Sequence, residues 1–316
     1  MLVWIAYAAI CLIWGTTWLA IKVGLHAIPP LTGVGLRFFI AGALLYGVAA
    51  LRREIPAPRT LPWKLIFVLA IFLFAADYSL LYTGETHLDS GLTAVIFGIL
   101  PFFVFGFSRL MLGERLTGRI LIGSLAAFAG VAVISIAGST RGSLLFALAI
   151  VAAAASSSFA NVYAKRHASY SPFVTLPPAM VIAGILVLGL GLTTERTDWA
   201  HAFTGSSLAA LLYLSIFGSG VAFFLLLWVL QRLPASIVGL ASLIFPVVAV
   251  ATGAVFGGEH VTARELAGSA LVVAGLWFAL SRSKDAAERS DAIEHLLPAG
   301  GRETEEQPAS LCAAAE

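Results

Sequence analysis

Residues 112–119 read LGERLTGR, and residues 257–264 read GGEHVTAR. Only 11% of the 316 residues are charged, so one polar phrase stated twice between long apolar runs carries information. At a shift of 145 positions Glu114 meets Glu259, Thr117 meets Thr262 and Arg119 meets Arg264. The register continues outward through Pro101 and Pro246, Gly113 and Gly258, Gly123 and Gly268, Ser124 and Ser269, and Gly130 and Gly275. Apolar matches mean little in such a chain, but matches of Glu, Thr, Arg and Ser do not arise so easily. A weaker echo runs at 143 positions, pairing Lys22 with Lys165 and Pro29 with Pro172. The phrase marks the same place in two copies of one unit.

The solvent of those units is lipid. Hydrophobic residues make up 59% of the chain, and mean hydropathy is +0.95. Soluble domains hold roughly 45–50% apolar and about 25% charged residues. A bilayer-spanning helix needs about 20 mostly apolar residues. Ten stretches qualify, near 3–24, 31–51, 62–83, 88–111, 119–138, 142–164, 172–194, 205–229, 234–257 and 262–281. No period-two alternation suggests a barrel, so the fold class predicted is an all-α membrane protein. The first apolar run lacks a basic start and a small-x-small cleavage site, and reads as a retained helix.

Five helices per copy is an odd number. The second copy therefore enters the membrane from the opposite face, and the expected architecture is two inverted five-helix repeats, 1–138 and 139–283. Residues 284–316, rich in Ala, Glu, Ser and Pro, read as a disordered cytoplasmic tail. With the N-terminus inside, twelve Lys and Arg lie in cytoplasmic segments and four outside, so both termini are expected in the cytoplasm. Inverted repeats are a common construction of secondary transporters, with the substrate held near the midplane.

The residues also resemble a known family. WGTTWLAIKVGLHAIPPLTGVGLRFFIAGALL (14–45) resembles the opening of a repeat unit of the EamA family of the drug/metabolite transporter superfamily. SGLTAVIFGILPFFVFGFSRLMLGERLTGRILIGSLAAFAGVAVI (90–134) resembles the close of that unit. ASIVGLASLIFPVVAVATGAVFGGEHVTARELAGSALVVAGL (235–276) resembles its second copy. The resemblance covers residues 1–281. It implies ten helices, cytoplasmic termini, a place in the bacterial inner membrane and export of small metabolites, amino acids or toxic compounds. Where such proteins often carry Asn in the third helix, this chain has Asp77, a titratable group.

Candidate site residues follow from polar chemistry inside the spans. Arg37 and Asp77 both lie roughly 10 Å deep. An ionisable side chain at mid-bilayer costs about 2.5–3.5 kcal/mol on insertion scales, so it faces a cavity or a partner. Equal depth permits an Arg37–Asp77 pair; unpaired in a cavity, Asp77 could load and release a proton. Met180 and Ala222 stand at the equivalent places of the second copy. Trp14, Thr17 and Trp18 share one stretch of the first helix, and Tyr78 and Tyr82 pair on the third; each set reads either as a cavity lining or as packing. Ser157, Ser158 and Asn161 fall on one face of the sixth helix, the serines as interhelical glue and Asn161 as a site candidate. Glu114 and Glu259 are expected to cap the helix that follows each and to pair with Arg119 and Arg264. Pro101 and Pro246 are expected to kink their helices, and Gly253 with Gly257 makes a GxxxG close-packing face.

Other classes find no support. The six histidines sit near loops or in the tail, without the clustering that metal or nucleophilic catalysis needs, so no cofactor, no metal and no enzyme is expected. No GxxxxGK[ST] loop occurs, and a formal net charge of +2 with no basic aromatic cluster gives no nucleic-acid partner. The expected partners are a small-molecule substrate, the lipid bilayer and a coupling proton at Asp77. An uncoupled facilitator or exchanger with Asp77 structural is the rival. Monomer and homodimer both fit.

Overall fold

Lipid offers a backbone amide no hydrogen-bond partner, so each buried segment must satisfy its own N–H and C=O groups. The computed structural model does this with helices. It describes residues 1–54, 58–88, 93, 96–135, 144–256 and 261–281, and no strand occurs among them. Two units separate, Met1–Ala279 and Leu280–Glu316. The expected tail at 284–316 lies outside the described residues.

In chain order the helices of the first unit are α1 (Leu2–Leu25), α2 (Pro30–Leu51), α3 (Trp63–Glu85), α4 (Leu100–Leu112), α5 (Gly118–Ser135) and α6 (Leu144–Arg166). Then come α7 (Pro172–Thr194), α8 (Gly205–Leu230), α9 (Ala235–Gly239), α10 (Phe245–Phe256) and α11 (Ala263–Leu280). Eight helical stretches are long and apolar enough to cross a membrane: α1, α2, α3, α6, α7, α8, the run from α9 into α10, and α11. The helices α4 and α5 are apolar but shorter. Large apolar side chains such as Leu110, Leu144 and Trp277 stand exposed on the outside of the bundle, as a lipid-facing surface requires.

Packing is tightest between α2 and α7, which run antiparallel. Gly35 faces the backbone of Leu188, Gly184 faces Phe39, and Gly191 faces Thr32. A β-carbon on Gly35 would fall 2.4 Å from the Leu188 nitrogen, so only glycine admits this approach. Glu195, at the end of α7, closes the seam. Its Oε1 accepts from the Leu31 amide at 2.8 Å, and its Oε2 accepts from the Thr32 amide and Thr32 Oγ1 at 2.8 Å each. A carboxylate there satisfies orphan amides of the α2 start and meets the positive end of its dipole.

The repeated phrase has a different structural role from the one expected. Glu114 does not cap the following helix. Its Oε1 accepts from the Ala235 amide at 2.8 Å, and its Oε2 accepts from the Ser236 amide at 3.2 Å and Ser236 Oγ at 2.8 Å. It therefore caps α9, far along the chain. The following helix is capped by Thr117, whose Oγ1 accepts from the Ile120 amide at 3.3 Å. Arg119 is likewise not bound to Glu114: its Nε donates to the Phe278 carbonyl at 3.0 Å. Arg264 Nε donates to the Val133 carbonyl at 3.0 Å, which is the same contact shifted by 145 positions. Glu259 and Gly257 lie outside the described residues, so the expected Glu259 cap and the Gly253–Gly257 face are not among the observed contacts. In the second copy Thr262 and Glu265 form a capping box, with the Thr262 amide on Glu265 Oε2 at 2.8 Å and the Glu265 amide on Thr262 Oγ1 at 3.2 Å. Removing this long-range cap with Glu114→Ala is expected to cost about 0.5–2 kcal/mol, read as a lowered melting temperature in detergent; Glu114→Gln, which keeps an acceptor oxygen, loses less.

The two prolines break rather than kink their helices. Pro101 is the second residue of α4, and Pro246 the second residue of α10. In a first turn the missing N–H has no helical partner to lose. Before α10 the chain passes through a 3-10 turn at Leu240–Leu243, so the expected continuous span 234–257 is discontinuous. A further departure has no counterpart in the sequence reading. The middle of α3 is π-helical over Leu69–Ala76, and the middle of α8 over Leu214–Val221, again 145 positions apart. Such π segments free carbonyls from the regular ladder and are frequent at functional sites.

Candidate functional site

The freed carbonyls are bound by side chains. Ser156 Oγ on α6 donates to the Phe72 carbonyl in the α3 segment at 2.7 Å. In the α8 segment the Gly218 carbonyl accepts twice, from Trp14 Nε1 at 3.0 Å and from an Arg37 terminal nitrogen at 3.1 Å. Thus one carbonyl joins α1, α2 and α8.

Arg37 is 1% exposed, and its whole shell is neutral. Its Nε donates to Ser219 Oγ at 2.7 Å and its other terminal nitrogen to Tyr82 Oη at 3.0 Å. The guanidinium carbon lies 4.7 Å from the Tyr78 ring centroid and 5.5 Å from that of Phe38, within cation–π range. Among the described residues no ion pair joins Arg37 to Asp77. Equal depth allowed the pair, but the guanidinium has its polar contacts on Tyr82 and the α8 segment, and Tyr78 stacks on it.

On the far side of Tyr78 lies a cavity of about 80 Å³, room for a few water molecules. Six of the predicted residues line it: Trp14, Thr17, Trp18, Asp77, Tyr78 and Asn161. Arg37 and Tyr82 do not; they form the layer behind it. Ser157 also faces it. Ser158 does not, and acts as glue, its Oγ donating to the Ala154 carbonyl at 2.6 Å and to the Leu100 carbonyl of α4 at 3.1 Å. The apolar wall comes from Ile21, Leu81, Val104, Leu226 and the rings of Phe223 and Phe245. Trp14 meets those two rings edge-on, at centroid distances of 5.1 and 5.7 Å.

The polar lining is unbalanced. Asp77 Oδ1 and Asn161 Oδ1 are buried and accept no hydrogen bond. A buried polar atom left in that state costs about 1–3 kcal/mol. Among the donors, Trp14 Nε1 is held by Gly218, Thr17 Oγ1 donates to the Trp14 carbonyl at 2.7 Å, and Ser242 Oγ donates to the Gly239 carbonyl at 3.1 Å. Glu85, at the end of α3, carries another buried oxygen without a partner, Oε2. It lies two residues beyond the expected third span, which ends at 83, whereas the helix runs on to Glu85. Ser219, Ser242 and Phe245 had no distinguishing signal, since a small polar or aromatic residue in an apolar run is more often packing. Among the described residues no group of His, Cys, Asp and Glu could hold a metal ion.

Long apolar helices packed around a small cavity, with a carboxylate in its lining, fit a multi-pass membrane transporter. The comparisons agree. A model of the EamA-like transporter family matches residues 1–136 and 144–281, and the chain belongs to that family. It is 27% identical over 283 residues to the uncharacterized transporter YoaV of Bacillus subtilis, covering 87% of this chain and 97% of the relative. It is 29% identical over 265 residues to the uncharacterized inner membrane transporter YedA of Escherichia coli, covering 80% and 82%. A probable amino-acid metabolite efflux pump of Salmonella typhimurium is 29% identical over 281 residues, covering 85% and 91%. One solved crystal structure is similar in fold, with a TM-score of 0.77, 22% identity and coverage of 91% and 98%.

Proposed function

We propose that the protein is a secondary active exporter of a small metabolite, working by alternating access between two inverted five-helix repeats. The repeats are 1–138 and 139–283, the spans number ten, and both termini face the cytoplasm of an inner membrane. One observation carries this reading: a cavity lined from both halves of the chain, holding a carboxylate that is 3% exposed and has a bare oxygen. Reciprocity supports the repeats. The Arg119–Phe278 and Arg264–Val133 contacts exchange under the 145-residue shift. So do the close approaches of Gly123 to Gly275 and Gly130 to Gly268. An arrangement that maps onto itself with its halves exchanged has two equivalent ways to open, which is the physical basis of alternating access. At about 80 Å³ the cavity is contracted, so a metabolite enters only as the halves move apart on one side.

Proton coupling rests on Asp77. A carboxyl in a mostly apolar cavity, with no direct ion pair to Arg37, changes its charge at each protonation, and the charged form is the one that lipid depth penalises. The test is flux in proteoliposomes loaded with a panel of amino acids and amines, under an imposed pH gradient. Wild-type protein is expected to export at least one compound several-fold faster with the gradient than without it. Asp77→Asn is expected to remove that acceleration. Equal flux in both proteins, indifferent to pH, leaves an uncoupled facilitator with Asp77 structural.

A further inference from the structure

We infer that the cavity selects an organic monocation bearing N–H groups, an ammonium on an apolar body, over zwitterions, anions and quaternary cations. The inference rests on the transporter reading and names its substrate class. It follows from which polar atoms are free. Asp77 and Asn161 line one cavity, and in each the Oδ1 atom accepts no hydrogen bond, with the Ser157 hydroxyl as the neutral neighbour of the Asp77 carboxyl. Buried polar atoms are almost always satisfied, so a pair of bare acceptors in one cavity asks for a ligand that supplies donors. An ammonium supplies up to three, with a charge that Asp77 offsets. A quaternary nitrogen supplies the charge and no donor.

The same census disfavours a carboxylate on the ligand. Arg37 is a buried cation in the layer behind the cavity, and its nitrogens are held by Ser219, Tyr82 and the Gly218 carbonyl. The Tyr78 ring stacks on the guanidinium and lines the cavity itself. Trp14, Thr17 and Ser242 donate to backbone carbonyls. A ligand carboxylate would therefore meet Asp77 with no charged donor free to receive it. Apart from the neutral Ser157 hydroxyl, the rest of the wall is mostly aliphatic and aromatic, which suits an apolar body, and ring faces add attraction for a cation.

The test holds the body constant and varies the head. The full chain in proteoliposomes is assayed for efflux of 2-phenylethylamine, its N,N,N-trimethyl analogue, phenylalanine, phenylacetate and 2-phenylethanol. Binding of each to the purified protein is measured alongside. Expected is flux of the primary amine at least tenfold above the other four. In Asp77→Asn and Asn161→Leu, amine binding should weaken at least tenfold while the melting temperature stays within a few degrees of wild type. Phenylalanine or phenylacetate carried as well as the amine overturns the inference and leaves the transporter standing. Equal binding of the primary and quaternary amines overturns the role given to the bare oxygens. A folded protein that binds none of the five also overturns it, and the mixed metabolite panel then decides the transporter reading separately.

Discussion

Gly184→Leu is expected to leave almost no folded protein, while Gly189→Ala, on the same helix, leaves the melting temperature in detergent unchanged or higher. A β-carbon at Gly184 would lie 2.5 Å from the Phe39 nitrogen and 2.8 Å from its α-carbon. The opposing atoms are backbone, so no rotamer change relieves the collision. From the other side Gly35 sits as close to Leu188. A side chain at either position must push α2 and α7 apart along their length, and with them the Glu195 cap on the α2 start. Overpacking costs about 1–3 kcal/mol, occasionally more, even where only side chains are in the way. Helix propensity acts oppositely, since Ala in place of Gly favours a helix by about 1 kcal/mol. At Gly189 nothing lies within 4 Å, so only the propensity acts. Fluorescence-detected size exclusion and thermal melts separate the two. A Gly184→Leu protein with wild-type yield and melting temperature would mean the two helices are not locked as described.

What was legible in the chain divides along the same physical line. Lipid acts on each residue separately, so apolar stretches announce themselves: eight long apolar helical stretches and two shorter helices overlap the expected ones, though α4 covers only the second half of 88–111 and 234–257 is broken at Leu240–Leu243. The family resemblance carried by 14–45, 90–134 and 235–276 also holds, because it rests on residues that can be quoted. Partners across the fold were not legible. Glu114 reads as a cap, and it is one, but the helix it caps begins at Ala235 because packing, not chain order, brings those amides to it. Arg37 and Asp77 announced themselves as charges in lipid, yet the rotation of α2 against α3 appears in neither helix alone. The π segments left no trace, since LAIFLFAA and LSIFGSGV differ from ordinary apolar helix only in where their carbonyls point.

Arg37 supplies the second large effect, and in it stability and transport part company. Arg37→Met is expected to fold as well as wild type or better, and to lose more than tenfold in flux. Burying a guanidinium among neutral groups carries a desolvation penalty, and replacing buried charge by an apolar side chain of similar volume is often neutral or stabilising. Two of the three groups it leaves have other recourse, since the Gly218 carbonyl keeps Trp14 Nε1 and a helical serine such as Ser219 can turn to a carbonyl of its own preceding turn, while the neutral Tyr82 hydroxyl gives up only an acceptor role. What Met cannot do is tie α2 to Tyr82 and to the π segment of α8, or hold the Tyr78 ring from behind. Tyr78 then loses the fixed position from which it lines the cavity. Arg37→Lys is the discriminating companion. It keeps the charge, but a single ammonium cannot reach Ser219, Tyr82 and Gly218 together in the guanidinium's planar fork. An under-partnered buried charge costs about 3–5 kcal/mol. The expected order of melting temperature is therefore Met at or above wild type, with Lys lowest, whereas the expected order of flux places wild type above both. A lysine variant more stable than the methionine one would show that Arg37 is held by charge alone, and that its three directed hydrogen bonds contribute little to placing the cavity wall.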